Sequence, residues 1–291
     1  MIKRLQYKEI DFQRYAKCLE NSLQTNIYAP KEILDALCDT WELLVYNEYE
    51  YVMPVPVRKK FGFRVVIMPL FCQQLGVFGP EINETVELKF MAFLKENYQI
   101  LTYHFNFQNL ATQGLKPKKN YLIDKTEYSL LRKNYFKGRK SAVKSAQHLY
   151  FKEENRTDVL SFIRAHFQGL DKKSDLEKFF TYIKFLEERH QLKIFGAYKE
   201  DHLTNLALVI ATENRYSLLG LVNDDQFKAD NGASFLIDRI LQENIHARSF
   251  DFMGGNMRGI EVFFKSFGAE LREYPILEFS KKELVKNFLQ K

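Results

Sequence analysis

FDFMGGNMRGIEVFFKSFGAE, Phe250 to Glu270, is the stretch whose reading decides the fold. A short apolar strand stops on Gly254-Gly255, and an amphipathic helix carrying one lysine among phenylalanines follows. Ile260, Phe263, Phe264 and Phe267 fall at i, i+3, i+4 and i+7, the spacing that pins a helix to a core. A strand that ends on glycines exposes backbone N–H groups with no side chain in the way. Gly254, Gly255 and Asn256 form such a surface. Backbone donors of that kind can be aimed at a charge developing in a bound ligand. Helix periodicity sets Lys265 about 100° from Phe264, at the edge of the apolar face. There it can pair with Glu261, four residues earlier. Asp251, at the strand end, reads as a general base or carbonyl orienter, or as a cap on local N–H groups.

Working outward, the strand RSFDF closes a longer pattern. LKIFGAYKE, LTNLALVIAT and RYSLLGL are three strands with polar turns, and the helix GASFLIDRILQEN follows them. The first half has the same order. WELLVYN, YEYVMPVPVR and FRVVIMPL are separated by turns at Asn47-Glu48 and Lys60-Phe61-Gly62, then come a helix over 84–97 and the strand ILTYHFNF. Before them stand a short strand at 2–6 and two helices, the second opening on Pro30. Pro54 and Pro56 predict an edge or bulged strand. Tyr46 aligns with Tyr198 and Leu101 with Ser249, so the chain reads as a tandem pair of mixed α/β units, 1–145 and 146–291. The helices DVLSFIRAHF and DLEKFFTYIKFLEERH open the second unit, and Tyr216 reads as core packing.

Composition bounds the function. The chain has 291 residues, 46% of them hydrophobic, enough to bury a real core. The N-terminus, MIKRLQYKEI, is charged and mixed rather than a leader, and the longest apolar run, Val65–Cys72, is too short to span a bilayer. Cys18, Cys38 and Cys72 are scattered, which fits buried thiols in a reducing cytoplasm. From Lys116 to Lys152, eleven Lys/Arg face two acids and give +9; with +6 overall, the rest of the chain holds −3. This segment reads as a solvated helix or as an attractor of anions through Arg139 and Lys140. Arg58, after the Pro-rich strand, is a further candidate for substrate contact. The six histidines show no His-x-x-x-His pair, GRKS lacks the phosphate-loop glycines, and no Gly-x-Ser-x-Gly or Gly-x-Gly-x-x-Gly is present. Metal, α/β-hydrolase and dinucleotide chemistries are thereby set aside.

Three stretches resemble one family. FDFMGGNMRGIEVFFKSFGAELREYP is similar to the strand, glycine turn, helix and strand near the C-terminus of Fem-type peptidoglycan aminoacyltransferases and their coiled-coil-free acetyltransferase-like relatives in the GNAT superfamily. MPVPVRKKFGFRVVIMPLFCQQLGVFG resembles their first domain, and RKNYFKGRKSAVKSAQ their basic inter-domain helix. The resemblance spans most of the chain in the right order. It implies two GNAT-like domains, an acyl-CoA or aminoacyl-tRNA donor held by the C-terminal domain, and an amine acceptor, such as a cell-wall precursor, in a groove between them. It implies that Lys265 contacts the donor or its carbonyl. It also implies that Asn231, Gly232, Ala233 and Ser234 open the helix that meets the CoA pyrophosphate. That helix begins ADNGASFL, with one glycine and no arginine where the GNAT pattern has Gln/Arg-x-x-Gly-x-Gly/Ala, and the long helical hairpin of many Fem enzymes is absent. Two other readings of the same residues stand beside this one. One is a non-catalytic binding module on the same fold. The other is a nucleic-acid binder using the basic segment and its aromatics Tyr121, Tyr128, Tyr135 and Phe136.

Overall fold

The computed structural model describes residues 1–24, 26–60, 63–111, 113–170, 172–280 and 282–283. The architecture is mixed α/β, on two sheets that each combine antiparallel and parallel pairs. The chain divides into two compact units: Met1–Lys118 with the segment from Glu273, and Lys119–Arg272.

The first unit runs β1 (Ile2–Leu5), α1 (Phe12–Glu20), α2 (Lys31–Leu37), β2 (Thr40–Tyr46), β3 (Tyr51–Lys60), β4 (Phe63–Val66), α3 (Glu84–Asn97), β5 (Gln99–Ile100) and β6 (Thr102–His104). Side-chain caps start two of its helices: Asp11 accepts from the N–H groups of Gln13 and Arg14, and Asn83 from that of Val86. Strands β1 to β5 lie side by side in chain order. The first four are antiparallel, and β5 joins β4 in parallel after α3. Asn47, Glu48 and Tyr49 all take positive φ in the first hairpin turn. Phe61 and Gly62 of the second expected turn lie outside the described residues.

The proline expectation holds locally. β3 sits between β2 and β4, yet β4 pairs only with Val57–Lys60. Val52 N–H points away from β2 to the carbonyl of Phe78, at 2.9 Å. Pro54 and Pro56 share its alternation, so their missing donors fall on a side where β4 has already ended.

The second unit follows with β7 (Lys116–Ile123), α4 (Tyr128–Asn134), α5 (Lys137–Ser145), β8 (Tyr150–Glu153), α6 (Arg156–His166), α7 (Lys173–Glu188), β9 (Leu192–Lys199), β10 (His202–Ala211) and β11 (Arg215–Asn223). It continues through α8 (Gly232–Asn244), β12 (Ser249–Asp251) and α9 (Arg258–Lys265) into β13 (Glu270–Glu278). Strands β8 to β12 repeat the order of β1 to β5. Tyr150 pairs with Tyr198 as Ile2 pairs with Tyr46, and the parallel pair after the helix is β11–β12. On the far side of β12, β7 pairs antiparallel, Phe250 opposite Ile123. The core packs Phe250, Phe252, Phe264 and Phe267 against Leu236 and Ile240, with Tyr216 buried among them as expected.

The expected boundary at residue 145 moves to 118–119. β7 and the basic helices belong with the second unit because β7 bonds β12 and α5 packs on α8. The chain then returns to the first unit: Ile276 of β13 pairs with His104 of β6.

Candidate functional site

β11 and β12 are in register for only three residues, Arg215–Ser217 against Ser249–Asp251. β11 then runs on to Asn223, and Leu219 is an extra residue opposite the Leu208–Val209 step of β10. Such a bulge bends its strand. The chain leaving β12 turns away at Phe252, and a cleft of about 570 Å³ opens where the strands part. Leu218, Leu219 and Leu221 form one wall; Met257, Ile260 and Phe263 form the other. The glycine turn, Gly254 to Asn256, and Ala233 at the start of α8 also line it.

The turn is fastened from both sides. Asp251 Oδ1 accepts from Met253 N at 2.8 Å and from Asn120 Nδ2 at 2.9 Å. Asn256 stands in for a strand neighbour: its Oδ1 accepts from Lys119 N at 3.0 Å and its Nδ2 donates to Lys119 O at 3.3 Å. Gly255 has φ +129°, and a Cβ there would lie 2.5 Å from the Tyr121 ring. That position is closed to other residues by conformation and by contact. Tyr121 in turn donates to Glu261 at 2.8 Å, and Lys119 Nζ reaches the same carboxylate at 2.9 Å; bonds from Lys119 and Tyr121 hold its pKa below the ordinary range. The N–H groups of Gly254, Gly255 and Asn256 have no acceptor among the described residues.

The start of α8 contributes less surface than expected. Asn231 takes a left-handed φ of 59° and donates to Ser145 Oγ and Ala229 O, each at 3.2 Å. Gly232 and Ser234 face inward. A Cβ on Gly232 would collide with the Asn205 side chain, and Ser234 Oγ accepts from Arg139. Of the four residues, Ala233 alone lines the cleft.

The two catalytic candidates lie elsewhere. Asp251 is buried at the strand end, where burial pushes its carboxyl up against the opposing charge of Arg215, 3.7 Å away. Its bonds are those of a turn cap, and it does not line the cleft. Lys265 is exposed and also absent from the lining. Five residues after Ile260, it is turned about 140° from that cleft-facing side chain. Glu261, its expected partner, is hydrogen-bonded by Lys119 and Tyr121, and the charge of Lys265 adds a weaker attraction.

The substrate-contact candidates are engaged within their own units. Arg139 stacks on Phe263 and Phe267 at 4.2 and 4.5 Å and donates to Ser266 Oγ at 2.8 Å; burial lowers its pKa to about 10. Lys140 Nζ donates to the carbonyl of Lys133 at 2.9 Å, closing the end of α4. Arg58, in the first unit, pairs with Asp39 at 2.7 Å. Among the described residues no group of three His, Cys, Asp or Glu side chains gathers to hold a metal, and no helix is long and apolar enough to cross a membrane.

No family model and no curated protein matches the chain. Solved structures do. The crystal structure of FemX aligns over 98% of this chain and 99% of its own, with a TM-score of 0.67 and 11% identity. A tandem GNAT protein from the clavulanic acid biosynthesis pathway aligns over 95% and 97%, with a TM-score of 0.59 and 8% identity. L-PGS from Bacillus licheniformis aligns over 96% and 94%, with a TM-score of 0.53 and 10% identity. The chain has the Fem-like, tandem GNAT fold.

Within that fold the missed residues are the β11 wall. Leu218, Leu219 and Leu221 carried a signal: SLLGL breaks the in–out alternation of a strand, as a bulge does. Ile260 and Phe263 were expected to face the core with Phe264 and Phe267. Phe263 packs on that core and also lines the cleft, as Phe264 does, while Ile260 walls the cleft and is 41% exposed.

Proposed function

We propose that the chain is an N-acyltransferase that moves an acyl or aminoacyl group from an activated donor, acyl-CoA or aminoacyl-tRNA, to an amine. The observation that carries this reading is the wedge between β11 and β12. It brings to one cleft the start of a helix, the edge of β11 beyond Ser217, and three N–H groups that have no acceptor among the described residues. The free edge of β11 suits an extended donor arm bearing amide groups, which bonds to it as an added strand does. The start of α8 favours the anionic end of that donor.

In the reaction the amine nitrogen attacks the donor carbonyl. The C–N bond forms, the C–S bond of a thioester or C–O bond of an ester breaks, and the leaving sulfur or oxygen takes up the proton the amine gives up. Gly254, Gly255 and Asn256 supply N–H groups for the oxyanion, and the walls hold the donor in line. The resemblance to Fem-type enzymes supports an acceptor with an exposed amine, such as a cell-wall precursor.

A non-catalytic binding module is the second reading. It is favoured by the absence of a titratable side chain from the cleft lining. Hydrogen exchange separates the possibilities. Acetyl-CoA or aminoacyl-tRNA should slow exchange over 218–223 and 253–260, and labelled acyl groups should appear on an added amine. Protection without product selects the binding module. No protection by either donor overturns both readings.

A further inference from the structure

We infer that the group transferred is a neutral aliphatic acyl chain longer than acetyl, and that the apolar wall at the start of α9 sets its length. This rests on the acyltransferase reading above. Three observations point to it.

The first is charge. An aminoacyl donor carries an α-ammonium, which needs a carboxylate or several acceptors once it leaves water. No acid lines the cleft. Its two polar side chains are already in use: Asn223 Oδ1 accepts from Asn205 at 2.7 Å, and Asn256 is bonded to the Lys119 backbone.

The second is apolar surface left in water. Met257 is 69% exposed and Ile260 41%, side by side on the cleft wall, while Phe264 of the same helix is buried. Isolated exposed apolar residues are ordinary; an apolar patch that continues into an apolar cleft marks a binding surface. Methionine adapts to flexible chains, and Met253 also lines the cleft.

The third is room. Added Cβ atoms on Gly254 and Gly259, both in the lining, would meet nothing within 4 Å. A chain that runs from a carbonyl at the glycine turn along this wall covers Met257 and Ile260 and the open space beside the glycines. Transfer then releases free CoA thiol and leaves an N-alkanoyl amide.

The test uses the full chain and the thioesters acetyl-, butyryl-, hexanoyl-, octanoyl- and decanoyl-CoA, with dissociation constants from calorimetry. Each added methylene should tighten binding about fourfold until the cleft is filled. β-Alanyl-CoA, which replaces the butyryl methyl with an ammonium, should bind at least about tenfold more weakly than butyryl-CoA. A Cβ at Gly259 meets nothing within 4 Å, so Gly259→Leu adds bulk to the α9 wall at the cleft, and leucine is the better helix former. This variant should keep the melting temperature while losing most of the gain of octanoyl-CoA over acetyl-CoA. Equal affinity along the series overturns the inference and leaves acyl transfer standing. Transfer from aminoacyl-tRNA with no binding of any acyl-CoA does the same. Neither binding nor transfer with either donor class overturns the inference and the acyltransferase reading together.

Discussion

The two units share a strand order and differ where the parallel pair ends. In the first, the chain leaving β4 and the chain leaving β5 bond to each other. Leu75 N donates to His104 O at 2.9 Å, Gly76 N to the Tyr103 hydroxyl at 2.9 Å, and Asn109 bonds both N and O of Val77 at 3.1 and 3.0 Å. Buried Glu87 locks this from below, accepting from Leu110 N, Ala111 N and Asn109 Nδ2 at 2.6, 2.8 and 3.0 Å. In the second, the chains part, and the walls are leucine, methionine and phenylalanine. One unit satisfies its diverging backbone with its own polar side chains. The other leaves strand edge and amides for something else to satisfy. In the reading proposed above, one half of this fold satisfies its own diverging backbone and the other is completed by the donor.

The largest expected effect breaks the closed half. Gly76 has φ +111°, and a Cβ there would lie 2.7 Å from Asn106 N and closer still to Asn109. Gly76→Ala should cost roughly 2–4 kcal/mol in urea denaturation. Gly254→Ala, in the glycine turn of the open half, should stay within about 0.5 kcal/mol of wild type. Equal costs would remove the contrast.

A smaller effect is pH-dependent. Burial raises the pKa of Asp251, so the folded state holds that proton more tightly than the unfolded chain does. Its contribution is full below the unfolded carboxylate pKa and is lost as pH rises through the folded value. Urea midpoints at pH 4 and pH 7 should therefore fall more for wild type than for Asp251→Asn, whose amide oxygen still accepts from Met253 N. A parallel fall in both proteins would place the proton elsewhere.

The smallest effect concerns Lys265. Since it is exposed and faces away from the cleft, Lys265→Ala should alter stability by less than about 0.5 kcal/mol and transfer by no more than about twofold. A hundredfold loss of transfer would restore the carbonyl-polarising role read from the sequence.

The fold was legible because its strands and helices announce themselves locally. GASFLIDRILQEN forms a helix over those same residues, and the three-strand sets repeat at matching places. The glycine turn was legible for the same reason. The catalytic assignments were not, because they depend on rotation and on partners distant in the chain. Asp251 is claimed by Asn120, and Glu261 by Lys119 and Tyr121, more than a hundred residues away in each case. Periodicity named the apolar stripe of α9 but not which part of it meets core and which meets the cleft.

β6 has a consequence for synthesis. Its partner is β13, so Thr102–His104 waits for Thr102 to meet Glu278 and His104 to meet Ile276. The ribosome must first deliver all of 119–272, a unit with its own core. At roughly 5–20 residues per second the interval is on the order of ten to thirty seconds. For that time the nascent first half carries an open strand edge beside buried-to-be tyrosines, the kind of template that recruits other chains. The second half can fold while the first is still waiting, and a ribosome that stalls between them releases the aggregation-prone piece alone.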